Sequence, residues 1–112
     1  MRIAQITSVY LSVPPRTRGG TERIVYYLCR ELSRRGHHVE LFASGDSRVD
    51  CTLQAVVPVA SEDDPDSTFY LEKELEARNT FNLYRQADRF DVIHAHWATL
   101  APYFSPLTKR PT

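Results

Sequence analysis

The apolar positions of this chain alternate between two periods, and each change of period marks an element. Ile3 to Val9 is a short run of β-branched and apolar residues ending in a proline-rich loop, which predicts a buried strand. Ile24, Val25, Leu28, Cys29 and Leu32 then recur on one helical face, so Thr21 to Arg35 is predicted helical. Glu22 in the first turn and Arg34-Arg35 in the last suit the helix dipole, and Gly36 stands where a helix stops. His38 to Ala43 reads as a second strand, closed by Gly45-Asp46, and Leu53 to Val57 as a third, ending at Pro58. From Thr68 to Arg89 the pattern is helical again, with Leu71 paired to Leu75 and Leu83 to Ala87 at i, i+4. Glu72, Lys73, Glu74, Glu76 and Arg78 form the expected wet side of that helix, while Asn79, Thr80 and Asn82 weaken its middle. Asp91 to Ala95 reads as a fourth, largely buried strand.

Strand, glycine pair, helix, glycine, strand is a βαβ unit, so the strands should be parallel and the fold class α/β. Open parallel sheets bind ligands beyond the carboxyl ends of their strands. The Gly19-Gly20 loop and His96 both fall at that edge and should share one rim. At Gly19-Gly20-Thr21 the backbone can crowd a ligand, and the free N–H groups of the helix start point into the same space, an arrangement that suits phosphate or another anion. The glycine spacing is neither Gly-x-Gly-x-x-Gly nor a loop followed by Gly-Lys-Ser/Thr, which disfavours both common phosphate loops.

Composition narrows the classes. At 112 residues the chain is one domain, and fourteen basic residues balance fourteen acidic ones, so no net field points to nucleic acid. Cys29 and Cys51 make no disulfide scaffold: Cys29 sits on the apolar helix face and Cys51 in a loop with no evident partner, and the expected setting is the cytoplasm. No apolar run has membrane-spanning length, and the N-terminal run lacks the features of a signal peptide. His94 and His96 face one side of their strand and could be half of a metal site, but no cysteine or acidic cluster completes a ligand set, so no metal is expected. Arg16 and Arg18 could hold an anion beside the glycines, or stay solvated. The acidic stretch Glu62 to Asp66 is expected to face solvent, and Trp97 is either a stacking platform or a packed strand-end aromatic.

Five pieces occur in order: Met1-Arg2-Ile3-Ala4; Val13-Pro14-Pro15; Gly19-Gly20-Thr21-Glu22-Arg23; Arg35-Gly36-His37-His38-Val39, continuing through Leu41 to Ser47; and Phe90 to His96. Together they resemble the N-terminal domain of family 4 glycosyltransferases of the GT-B fold. The resemblance implies a Rossmann-like three-layer α/β/α domain with a mostly parallel sheet, on the acceptor side of a retaining enzyme. That enzyme would take a nucleotide-diphosphate sugar as donor and a sugar, lipid or small molecule as acceptor, with no metal or other cofactor. It implies donor-diphosphate contacts at Gly19, Gly20 and Thr21, and a cleft wall that includes Arg16, Arg18, His96 and Trp97. It also implies a truncated domain that lacks its C-terminal, donor-binding partner and is inactive alone, with the missing strands leaving a sheet edge open. The expected location is cytoplasmic, with peripheral membrane contact left open. Two alternatives stand beside it. One is a nucleotide-dependent oxidoreductase, for which Asp46 at the end of the second strand would be the ribose-binding acid. The other is a non-catalytic α/β binding module.

Overall fold

The computed structural model describes residues 1–112. Four parallel strands, β1 (Arg2–Thr7), β2 (His38–Phe42), β3 (Thr52–Gln54) and β4 (Val92–His96), form one sheet in the order β3-β2-β1-β4. Helix α1 (Gly20–Arg34) covers one face, and α2 (Phe69–Tyr84) with the short α3 (Ala101–Phe104) covers the other, giving three layers. The expected Rossmann-like α/β fold is therefore the observed one. The strand order reverses between β1 and β4, where Thr7 lies opposite His96 at the carboxyl ends. No helix is long and apolar enough to cross a membrane.

Strand alternation assigns the two cores. Val39, Leu41 and Ala43 meet Val25 and Cys29 of α1, while Ala4, Ile6, Phe42 and Ile93 meet Leu83, Tyr84 and Phe90 on the far side. Phe42 and Phe90 pack edge to face at 5.9 Å between ring centroids, and burying each contributes about 1.5–3 kcal/mol. Helix α1 ends as Gly36 predicts. With φ +90° at Gly36, its N–H bonds the Ser33 carbonyl and that of His37 bonds Leu32, the paired bonds of a Schellman stop.

Several expectations need correction. β3 is three residues long, because this edge strand pairs only with β2 over Thr52–Gln54. Strand β1 ends at Thr7, not Val9, because the Val9 N–H leaves the ladder for the Glu76 carboxylate at 2.8 Å. The second helix starts on the Thr68 cap but stops at Tyr84; a separate 3-10 turn holds Ala87–Arg89. Its inner side is largely polar and turns apolar only at its end, where Leu83 and Tyr84 enter the core; Leu83 and Ala87 are buried as expected. Glu76, Asn79, Thr80 and Asn82 are buried, whereas Leu71 and Leu75 are only half-buried. Ile24, expected on the buried face of α1, is 63% exposed. β4 is an edge strand with a half-open face, not a largely buried one, and His94 on it is exposed. Its open edge is met in part by the tail, where the Ile93 N–H bonds the Pro111 carbonyl at 2.8 Å.

Candidate functional site

A cavity of about 600 Å³ opens at the carboxyl end of β1, between the start of α1 and the first turns of α2. Its walls combine Gly20 and Thr21 with Ser8, Tyr10, Glu22, Glu72, Lys73, Glu76, Trp97 and Thr99. Three local devices build it. Asn79 bridges the ends of the two central strands, its Nδ2 donating to the Thr7 carbonyl (3.2 Å) and the Phe42 carbonyl (3.3 Å). One turn earlier on α2, Glu76 is thereby set against the end of β1. There Oε1 accepts the Ser8 hydroxyl at 2.6 Å and the Val9 N–H at 2.8 Å. The third device is Gly19, whose φ of +130° is open to glycine and strained for other residues.

The two glycines have different roles. A Cβ on Gly19 would lie 2.7 Å from the Glu22 carboxylate and 3.0 Å from Leu11 and Pro15, so Gly19 shapes the loop and the start of α1. A Cβ on Gly20 would meet nothing within 4 Å, so Gly20 faces open space. No side chain caps α1 at Gly19, so the first-turn N–H groups have no side-chain partner there, and Gly20 and Thr21 line the cavity. The same space, however, is walled by Glu22, Glu72 and Glu76, and Glu22 folds back over Gly19. An anion meeting the α1 N-terminus approaches through an acidic wall that the glycine pattern did not reveal.

The other predicted residues divide between two places. Trp97 lines the cavity, 75% exposed and with φ +52°, a left-handed conformation unusual for a bulky residue. His96 lies on the same rim but turns toward the sheet face under α1, where its Nε2–H donates to Gln5 Oε1 at 2.6 Å. Burial, and the His94 ring 3.9 Å away, push the His96 pKa down to about 4, so near neutral pH the ring is uncharged with Nδ1 left as an acceptor. Gln5 is itself fully buried, and its Nε2 has no partner. His94 and His96 gather no third metal-ligating side chain beside them.

Arg16 and Arg18 are paired. Arg16 bonds Asp63, and Arg18 Nη2 donates to Glu62 at 3.0 Å. The acidic stretch expected to face solvent thus docks on the proline-rich loop, helped by Ser61 and Glu62 N–H bonds to the carbonyls of Val9 and Tyr10. Asp46 is committed elsewhere: its carboxylate takes the Ala60 N–H at 3.2 Å and the Ser44 hydroxyl at 2.6 Å, which anchors a turn rather than offering a ribose contact. Cys51, for which the sequence offered no partner, meets the buried Cys29 thiol.

Sequence reasoning missed Glu22, Ser8, Glu76 and Asn79 as site builders. For Glu76 and Asn79 the signal was present but unused, since polar residues three apart on a helix share a face. Burial pushes the Glu76 carboxyl above the usual range, only partly offset by its bonds from Ser8 and Val9. The family model described as Glycosyltransferase Family 4 matches residues 18–111 of the chain. No curated protein matches it significantly.

Proposed function

The chain belongs to glycosyltransferase family 4, and on that premise we propose that it forms the acceptor-side wall of a retaining transferase. The donor is a nucleotide-diphosphate sugar, and the acceptor a sugar, lipid or small molecule. A second, C-terminal Rossmann-like domain would close the cleft and hold most of the donor, and the reading includes no resident metal or cofactor. It places the reaction in the cytoplasm.

The observation that carries this reading is the position of the cavity within the matched region. It lies beyond the carboxyl ends of parallel strands, at the β1/β4 switch point, where open α/β sheets hold their ligands. The Gly20 and Thr21 N–H groups would meet the donor diphosphate from the edge of the cavity, with Gly19 setting the loop that aims them. Preorganised donors of this kind stabilise a departing diphosphate without reorganising during the reaction. His96 and Trp97 would flank the acceptor, and Arg16 and Arg18 would stiffen the adjoining loop through their acidic partners.

Gly20→Val tests the assignment. Its Cβ enters open space, so the melting temperature should stay within about a degree or two of the parent. Binding of uridine, guanosine or adenosine diphosphate, followed by calorimetry, should weaken about tenfold or more for whichever the parent binds. Unchanged affinity in a folded Gly20→Val chain would remove the diphosphate from this loop.

A further inference from the structure

We infer that the cavity beside Gly20 is a subsite for a polyol that presents hydrogen-bond donors, a neutral or amine-bearing sugar free of phosphate and carboxylate. The inference rests on the transferase reading, for which it names the class of acceptor, but its chemistry comes from the cavity wall.

Three carboxylates face this space against one lysine. The Lys73 ammonium is drawn aside, 5.2 Å over the Phe69 ring. Glu22 is the decisive group. It is 6% exposed, lines the cavity, and takes no hydrogen bond or ion pair from the rest of the chain. Its carboxylate oxygens are not sealed in the protein but open to the cavity, so a ligand N–H or O–H can reach them. Glu76 adds to the demand. Both of its bonds, from Ser8 and Val9, fall on Oε1, so Oε2 remains for a ligand. Ionised carboxylates only accept, so they match the hydroxyl groups of a sugar and repel a phosphate at the same position.

The remaining wall fits the same ligand. Trp97 and Tyr10 offer aromatic surface for the C–H face of a sugar ring, and Thr21 and Thr99 can take part as donor or acceptor. About 600 Å³ lies within the range of small-molecule sites. The division of labour follows from charge: backbone N–H groups at the edge for the donor diphosphate, carboxylates within for the acceptor hydroxyls.

Trp97 is the chain's one tryptophan and lines this cavity and a neighbouring one, so its emission reports sugar binding here and the Glu22 and Glu76 variants assign the response to this cavity. The 112-residue chain would be titrated with glucose, glucosamine and glucose 6-phosphate. The expected result is a saturable emission change with glucosamine and glucose, glucosamine being the tighter, and a clearly weaker response to glucose 6-phosphate. Glu22→Gln, checked for folding by circular dichroism, should weaken glucosamine about tenfold or more. Glu76→Gln supplies a second variant with the same expected direction. Sugar phosphate binding as tightly as glucose, no saturable response to any of the sugars, or glucosamine affinity unchanged in both variants would overturn the inference. Nucleoside diphosphate affinity, measured in parallel, separates the two readings: its loss in Gly20→Val concerns the donor assignment alone, and its retention in Glu22→Gln shows that a lost sugar response belongs to this subsite.

Discussion

Glu40 and Glu76 are both buried on the side of the sheet covered by α2, yet they are opposites. Glu40, in the middle of β2, collects Gln54 Nε2 at 2.8 Å, His38 Nε2 at 2.9 Å and the Arg89 guanidinium at 2.6 Å. Burial alone would push its carboxyl up, but those bonds and the Arg89 charge outweigh it and hold Glu40 below the usual range. Glu76 receives two neutral donors on a single oxygen, and there burial prevails. A carboxylate whose charge is met from within the chain is a structural clamp, here tying the end of the α2 layer to β2. One that is under-compensated and faces a cavity has bonding capacity left for a ligand.

The largest effect expected from breaking this comparison is at the clamp. Glu40→Ala strands Arg89 and unties the turn after α2, and should cost about 3 kcal/mol in urea unfolding, toward the low end for a broken buried pair because Arg89 is half open to solvent. It should leave sugar and nucleotide binding to the folded chain unchanged. A loss below about 1 kcal/mol would mean that the clamp is not structural.

A middle-sized effect lies in the pH dependence. With its pKa raised above 4.5, Glu76 holds its proton in the native chain where the unfolded chain has released it. Its contribution to stability is therefore present in acid and fades as pH rises through the raised value. His96 acts in the opposite sense. Held at about 4 against an ordinary 6.5, it stays neutral in the native chain while the unfolded chain takes up a proton, so stability falls as pH drops from 6.5 toward 4. Urea midpoints across this range should show Glu76→Gln gaining on the parent as pH rises, and His96→Asn flattening the acid limb. Parallel curves for parent and variants would refute both assignments.

The smallest effect belongs to the loop pairs. Arg16→Ala, with an exposed side chain, should cost between about 0 and 1 kcal/mol, and a double-mutant cycle with Asp63→Ala should give a coupling that shrinks with added salt.

How much was legible follows the same division. The β1–α1–β2 unit was readable to within a residue or two at its element ends because its apolar periodicity, glycine stop and the short turn from α1 into β2 all agree. Helix α2 was readable as a helix but not in its orientation. Its inward side carries Glu76, Asn79, Thr80 and Asn82, and only the bare carbonyls of Thr7 and Phe42 and the N–H of Val9 explain why polar groups are wanted there. Gly19 and Gly20 were readable as a pair but not in their separate roles, which depend on what surrounds each missing Cβ.

The order of residues by itself determined the α/β class, the parallel strands, the glycine-started helix and the rim shared by the Gly19-Gly20 loop and His96, because periodicity and turn chemistry act over short spans. Only the tertiary structure decided what the rim is made of. Glu22 folds back over Gly19, and Glu76 crosses from the second helix to the end of the first strand, a contact separated by more than half the chain. The sign of charge in a cavity depends on groups brought together from distant segments, and no local pattern records that meeting.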